Sequence, residues 1–172
     1  LEDKTMSRKK KIVLIILGII ASLGVLLFYW DHQVVTPTKE LDESLRYELA
    51  HMDDEYIEYD FAIISYKLFK ITESKDKAVV YGMFYIEQYK NDSEFLESGY
   101  FDYMKVTLKK ENEKYILDEV WVPEDGDQYQ ISLLKNFPIN TWSRILLTGD
   151  RYRLELIEEN KQQYNKYITK NQ

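Results

Sequence analysis

The side chains able to do chemistry in this chain are few and scattered. His32 and His51 are the only histidines and there is no cysteine. The paired His or Cys spacings that hold zinc are therefore missing. Asp53-Asp54-Glu55 and Glu124-Asp125-Gly126-Asp127 are acidic clusters. The second lacks the series of oxygen ligands and the closing Glu of a calcium loop, so it reads as a solvated turn. No Gly-x-Ser-x-Gly elbow and no Gly-rich phosphate cradle occur, which leaves no motif for acyl or phosphoryl transfer. No cofactor is implied, and the chain is expected not to be an enzyme.

Aromatic residues carry more information, because the chain holds 15 tyrosines. Tyr81, Met83, Tyr85 and Tyr89 alternate along one stretch and share a strand face, with Val80, Phe84 and Ile86 on the other. Tyr103 and Trp121 join from later stretches. One account makes this face core, with tyrosines packed under a helix and hydroxyls at its edge. A second makes Tyr81, Tyr85, Tyr89, Tyr103 and Trp121 a concave aromatic surface for a partner protein, peptide or wall glycan. A third places Asp60, Tyr85, Asp102 and Trp121 in a pocket inside the sheet's curve.

The elements that must position these residues follow from periodicity. Thr38 can cap a helix over 39–53, in which Leu41, Leu45, Leu49 and Met52 form an apolar stripe. Residues 62–72, 78–89, 100–110 and 114–122 are rich in β-branched and aromatic residues, and short polar turns make 1–2 and 3–4 hairpins. The 90–99 connection reads as a long polar loop. Residues 128–136 fit one or two helical turns. Asn140 or Thr141 can cap a short helix ended by Gly149, and Asp150 can cap a last one to about Ile168. The expected fold is α+β: a helix, a four-stranded antiparallel meander, then C-terminal helices, with helices covering one sheet face.

Where this body sits is decided by residues 12–30, IVLIILGIIASLGVLLFYW, which contain no charge and follow Arg8-Lys9-Lys10-Lys11. As a helix they would rise roughly 28 Å, close to the hydrocarbon thickness of a bilayer. A cleaved leader would be shorter and end in small residues, whereas this run ends in Phe28-Tyr29-Trp30. The basic flank puts the amino terminus in the cytoplasm. The expected organisation is a basic tail (1–11), a transmembrane helix (12–30) with the lipid bilayer as partner, a linker (31–37) and an extracytoplasmic domain (38–172).

The net charge is −7 for the whole chain and +3 over residues 1–11, which leaves −10 beyond the anchor. Such a body is repelled by phosphates, so nucleic acid is not an expected partner. A cysteine-free exterior chain fits a Gram-positive bacterium.

Val122-Pro123-Glu124-Asp125-Gly126-Asp127-Gln128-Tyr129, with Ile131 and Phe137-Pro138, resembles a small exterior domain of membrane-anchored Firmicute proteins. Similar segments accompany BlaR-like antirepressor sensors, although the metallopeptidase helices and penicillin-binding Ser motif of a sensor enzyme are absent. The helix-plus-meander order is similar to cystatin-like or NTF2-like sheets. The resemblance implies a stand-alone exterior domain without an assigned function. The anchor and a compact domain lacking catalytic motifs lead to the expectation of a non-catalytic binding or sensing module at the cell surface, with another membrane or envelope protein as partner. Its alternatives are a small-ligand or enzymatic pocket domain and a structural subunit of an envelope complex.

Overall fold

A computed structural model describes residues 8–31, 35–52, 59–90, 96–112 and 114–171. The chain divides into two units, residues 1–33 and 34–172. In the first, α1 (Arg8–Asp31) is a 24-residue helix. Its described apolar side chains are exposed on every side, from Ile12 at 50% to Val25 at 68%, and the Ser22 hydroxyl donates back to the Gly18 carbonyl at 2.8 Å. Among the described residues no helix is long and apolar enough to cross a membrane. The side chains of 26–31, which complete the expected span, lie outside the described residues. The expected span is thus occupied by a helix without being found as a span.

The second unit begins with α2 (Lys39–Ala50), where Thr38 Oγ1 accepts from the Leu41 N–H at 3.3 Å and Glu40 and Asp42 sit in the dipole-favoured first turn. The strands are β1 (Phe61–Glu73), β2 (Lys77–Tyr89), β3 (Leu96–Glu111) and β4 (Lys114–Trp121), an antiparallel meander in chain order. A 3-10 turn at Gly126–Gln128 leads into α3 (Tyr129–Asn136). A second, Ile139–Thr141, leads into α4 (Trp142–Asn171).

Helices cover both faces of the sheet, which corrects the one-sided arrangement expected from the element order. Leu41, Leu45 and Leu49 of α2 are fully buried against Val80, Phe84, Ile86, Met104 and Val106. On the opposite face, Phe69, Met83 and Tyr103 pack with Leu133 and Phe137 around α3 and with Ile145 and Leu156 of α4. The cause is in β2, whose alternate residues are apolar in both sets, so neither face can be left to water.

A bulge between Leu68 and Lys70 keeps β1 consistent with both layers. Phe69 faces α4 by ordinary alternation, and the additional residue shifts the pairing so that Ile71, opposite Val80, returns to the α2 side. Arg144, only 6% exposed, donates to the Leu68 and Phe69 carbonyls at 3.4 and 3.2 Å. Buried Asn160 donates to Glu87 Oε2 at 2.9 Å, and Lys67 bridges Glu155 and Glu159. These contacts pin α4 to β1 and β2.

Two boundaries differ from the sequence reading. β3 starts at Leu96, because β2 continues to pair through Gln88↔Ser98 and Tyr89↔Leu96, and this shortens the 90–99 loop. The two expected C-terminal helices are one helix of 30 residues, with Gly149 and Asp150 inside it. Gly149 marks a close approach and no stop: a Cβ there would lie 2.7 Å from Tyr103 Oη.

This geometry reverses the usual sign of a helix substitution. Gly to Ala inside a helix ordinarily gains about 1 kcal/mol, but overpacking costs about 1–3 kcal/mol. Gly149→Ala is expected to lower the thermal midpoint. Placed in a Tyr103→Phe background, the same change is expected to raise it, as calorimetry of the four variants will show.

Candidate functional site

Between the sheet and the two C-terminal helices lies a cleft of about 570 Å³. Met83, Phe101 and Tyr103 form its floor, α3 supplies Tyr129, Leu133 and Leu134, and α4 supplies Ile145 to Leu147, Gly149, Asp150 and Arg153. The side-chain void at Gly149 admits the Tyr103 ring, whose hydroxyl donates to the Ile145 carbonyl at 3.3 Å. Burial, with the charges of Asp102 and Asp150, pushes that hydroxyl up to about 12.

Asp102 is the polar centre of the cleft. Its Oδ1 accepts from Tyr129 Oη at 2.6 Å and from the Tyr103 N–H at 2.7 Å. Among the described residues its Oδ2 accepts nothing. Burial raises its pKa above the ordinary Asp value and Asp125 adds to that, against the opposing hydrogen bonds from Tyr129 and Tyr103. Tyr129 is held strongly protonated, first by burial and then by donating to Asp102. Across the cleft, the Arg153 guanidinium lies 5.3 Å from the Phe101 ring centre. A half-buried carboxylate, an exposed guanidinium, aromatic rings and aliphatic walls suit reversible capture of an amphipathic group.

Of the aromatic residues singled out from sequence, only Tyr103 lines this cleft. Tyr81 is half-buried, edge-on to Phe137 at 5.4 Å. Tyr85 donates to Glu87 at 2.7 Å and meets Phe101 edge-on, and burial with Glu87 pushes it up to about 12. Tyr89 is 8% exposed and stacks on Phe61 at 5.1 Å. Trp121 is half-buried, 6.2 Å from Phe137. These four pack under or beside α3 and α4 as the core account requires. Of the pocket set, Asp102 lines the cleft while Asp60 is exposed at the start of β1.

Tyr129, Asp150 and Arg153 were not singled out from sequence as site residues. Tyr129 follows the Glu124–Gln128 turn, which in the fold delivers its hydroxyl to Asp102. Asp150 and Arg153 reach the cleft only because α4 is unbroken. His51 is exposed at the end of α2, its Nδ1 2.6 Å from the Tyr47 carbonyl. His32 and the 53–55 acidic cluster lie outside the described residues. Among the described residues no group of three or more His, Cys, Asp or Glu side chains is placed to hold a metal.

The raised carboxyl of Asp102 makes a signed prediction. The folded state holds the proton more tightly than the unfolded chain, so its contribution is present below about pH 4 and lost as pH rises through the folded value. Asp102→Asn keeps an acceptor for Tyr129 and removes the titration. Its stability relative to wild type is expected to improve from pH 3.5 to pH 7. Urea melts at the two pH values will check this, and an unchanged difference would refute it.

No family model, curated protein or solved structure matches this chain.

Proposed function

We propose that the protein is a membrane-tethered, extracytoplasmic binding or sensing module of non-catalytic type, with α1 as anchor and the α+β unit as its recognition body. The observation that carries the tether is α1 itself. It is a helix whose described aliphatic side chains are exposed all round, with basic residues only at its amino-terminal end. Water is a poor solvent for such a surface, and lipid supplies a good one. The Ser22 to Gly18 hydrogen bond satisfies the serine hydroxyl of the run internally. The positive-inside rule then places the acidic unit outside. The likeness of the 122–138 stretch to exterior domains of membrane-anchored Firmicute proteins supports the same reading. The meander with α2 on one face is compatible with a cystatin-like or NTF2-like relationship, from which α3 and α4 on the other face depart.

A second reading, a small-ligand pocket domain, is favoured by the cleft, whose half-buried Asp102 keeps one oxygen open among the described residues. The two readings are compatible, since a tethered sensor needs a place to bind.

Protease added to intact cells expressing the full chain is expected to degrade the body while sparing a short membrane-embedded fragment. Carbonate washing is expected to leave the chain in the membrane pellet. Recovery of uncut chain in the soluble fraction would overturn the tether. A thermal-shift screen of the full chain against peptides and wall fragments tests the cleft, with Asp102→Asn as the variant expected to lose any shift found.

A further inference from the structure

The flank of α4 that runs outward from the cleft rim carries a second pattern. Leu147, Asp150, Leu154, Ile157, Lys161 and Tyr164 recur at alternating spacings of three and four, the a and d positions of a heptad. Leu147 and Leu154 are each 69% exposed and Ile157 is 41% exposed. Asp150 and Lys161 are exposed and Tyr164 is half-buried. Ile145, Leu156 and Asn160, which fasten α4 to the sheet, form a neighbouring stripe, and Tyr164 at the end of the pattern also packs on Tyr89 of β2 at 4.8 Å. A stripe with so much aliphatic surface in water marks an interface.

Its charge order names the occupant. In a parallel pairing with itself, Asp150 would face Asp150 and Lys161 would face Lys161. Run antiparallel, each a position meets a d position of the other helix. Leu147 then meets Tyr164, Asp150 meets Lys161, and Leu154 meets Ile157, each contact repeated by the two-fold axis. Beside the seam, Arg151 comes opposite Glu158. Every layer finds an apolar or opposite-charge partner in one register only, and a charged pair inside a seam is a known means of fixing register.

We propose that α4 pairs with α4 of a second copy of this chain, as an antiparallel two-helix seam from Leu147 to Tyr164. The seam is roughly 27 Å long at 1.5 Å per residue. It passes the rim of the cleft at Leu147 and Asp150, so association closes the cleft from one side. The pairing does not require α1 to cross a membrane. If α1 does cross, confinement in one layer raises the effective concentration of the second copy.

The absence of native cysteine makes the test direct. Full-length chain in mild non-ionic detergent is oxidised as Leu147→Cys, as Tyr164→Cys, and as a mixture of the two. Only the mixture is expected to give a cross-linked dimer. Asp150→Lys and Lys161→Asp are each expected to weaken dimerisation roughly tenfold or more by setting like charges together, and the double exchange is expected to restore it. Circular dichroism and thermal melts of each variant report whether its fold is intact. A monomeric wild-type chain would overturn the proposal. So would cross-linking of Leu147→Cys with itself, a dimer indifferent to either single exchange, or a double exchange that fails to rescue among folded variants. Loss of membrane retention with the dimer intact would count against the tether alone.

Discussion

A four-stranded sheet whose inner strand is apolar in both alternations has to be covered twice, and the architecture of the second unit follows from that requirement. Phe84 and Ile86 call for α2, while Met83, with Tyr103 across the ladder, calls for α4. Because β1 to β4 pair in chain order, the covers come from the two ends of the unit, one before the sheet and one after it. The bulge at Phe69 and the glycine at 149 are local adjustments to this double covering. One returns Ile71 to the α2 side after the extra residue, and the other lets a helix come down onto a tyrosine.

The cleft is what the second cover leaves open. The long helix α4 sits chiefly over β1 and β2, held there by Arg144, Asn160 and the Lys67 bridges, while short α3 follows β4. The space between them lies above Phe101 to Tyr103. Asp102 remains half-buried there because its own neighbour's N–H and the Tyr129 hydroxyl fill one oxygen, which makes an otherwise costly carboxylate tolerable. The polar character of the cleft is thus tied to one carboxylate within β3 and the turn that brings Tyr129 to it.

Much of the fold was legible in the sequence. The Leu41-Leu45-Leu49 stripe, the alternation along β2 and the two polar turns each follow from a short-range period. The cover on both faces is also legible in β2, where Val80 and Tyr81 begin two apolar series. The unbroken α4 was not legible, because a glycine followed by an aspartate looks like a stop and a cap. Only the presence of Tyr103 beneath Gly149 gives that glycine its other meaning, and this is a contact between residues far apart in the chain. The same holds for Tyr129 and Asp102: neither residue type nor spacing pairs them, and the turn at Gly126, with its φ of 68°, brings them together.

The chain-order meander also bears on how the protein comes into being. Each hairpin can close as soon as its second strand has been made, since every partner is the preceding segment. The surface around Phe69, Met83 and Tyr103, however, stays bare until the last 30-residue helix arrives. A nascent or truncated chain lacking that helix would present a ready-made sheet with one greasy side, the form most prone to clumping and to quality-control proteases. Completion of this unit therefore waits on α4, and chaperone dependence should be concentrated in the interval before that helix docks.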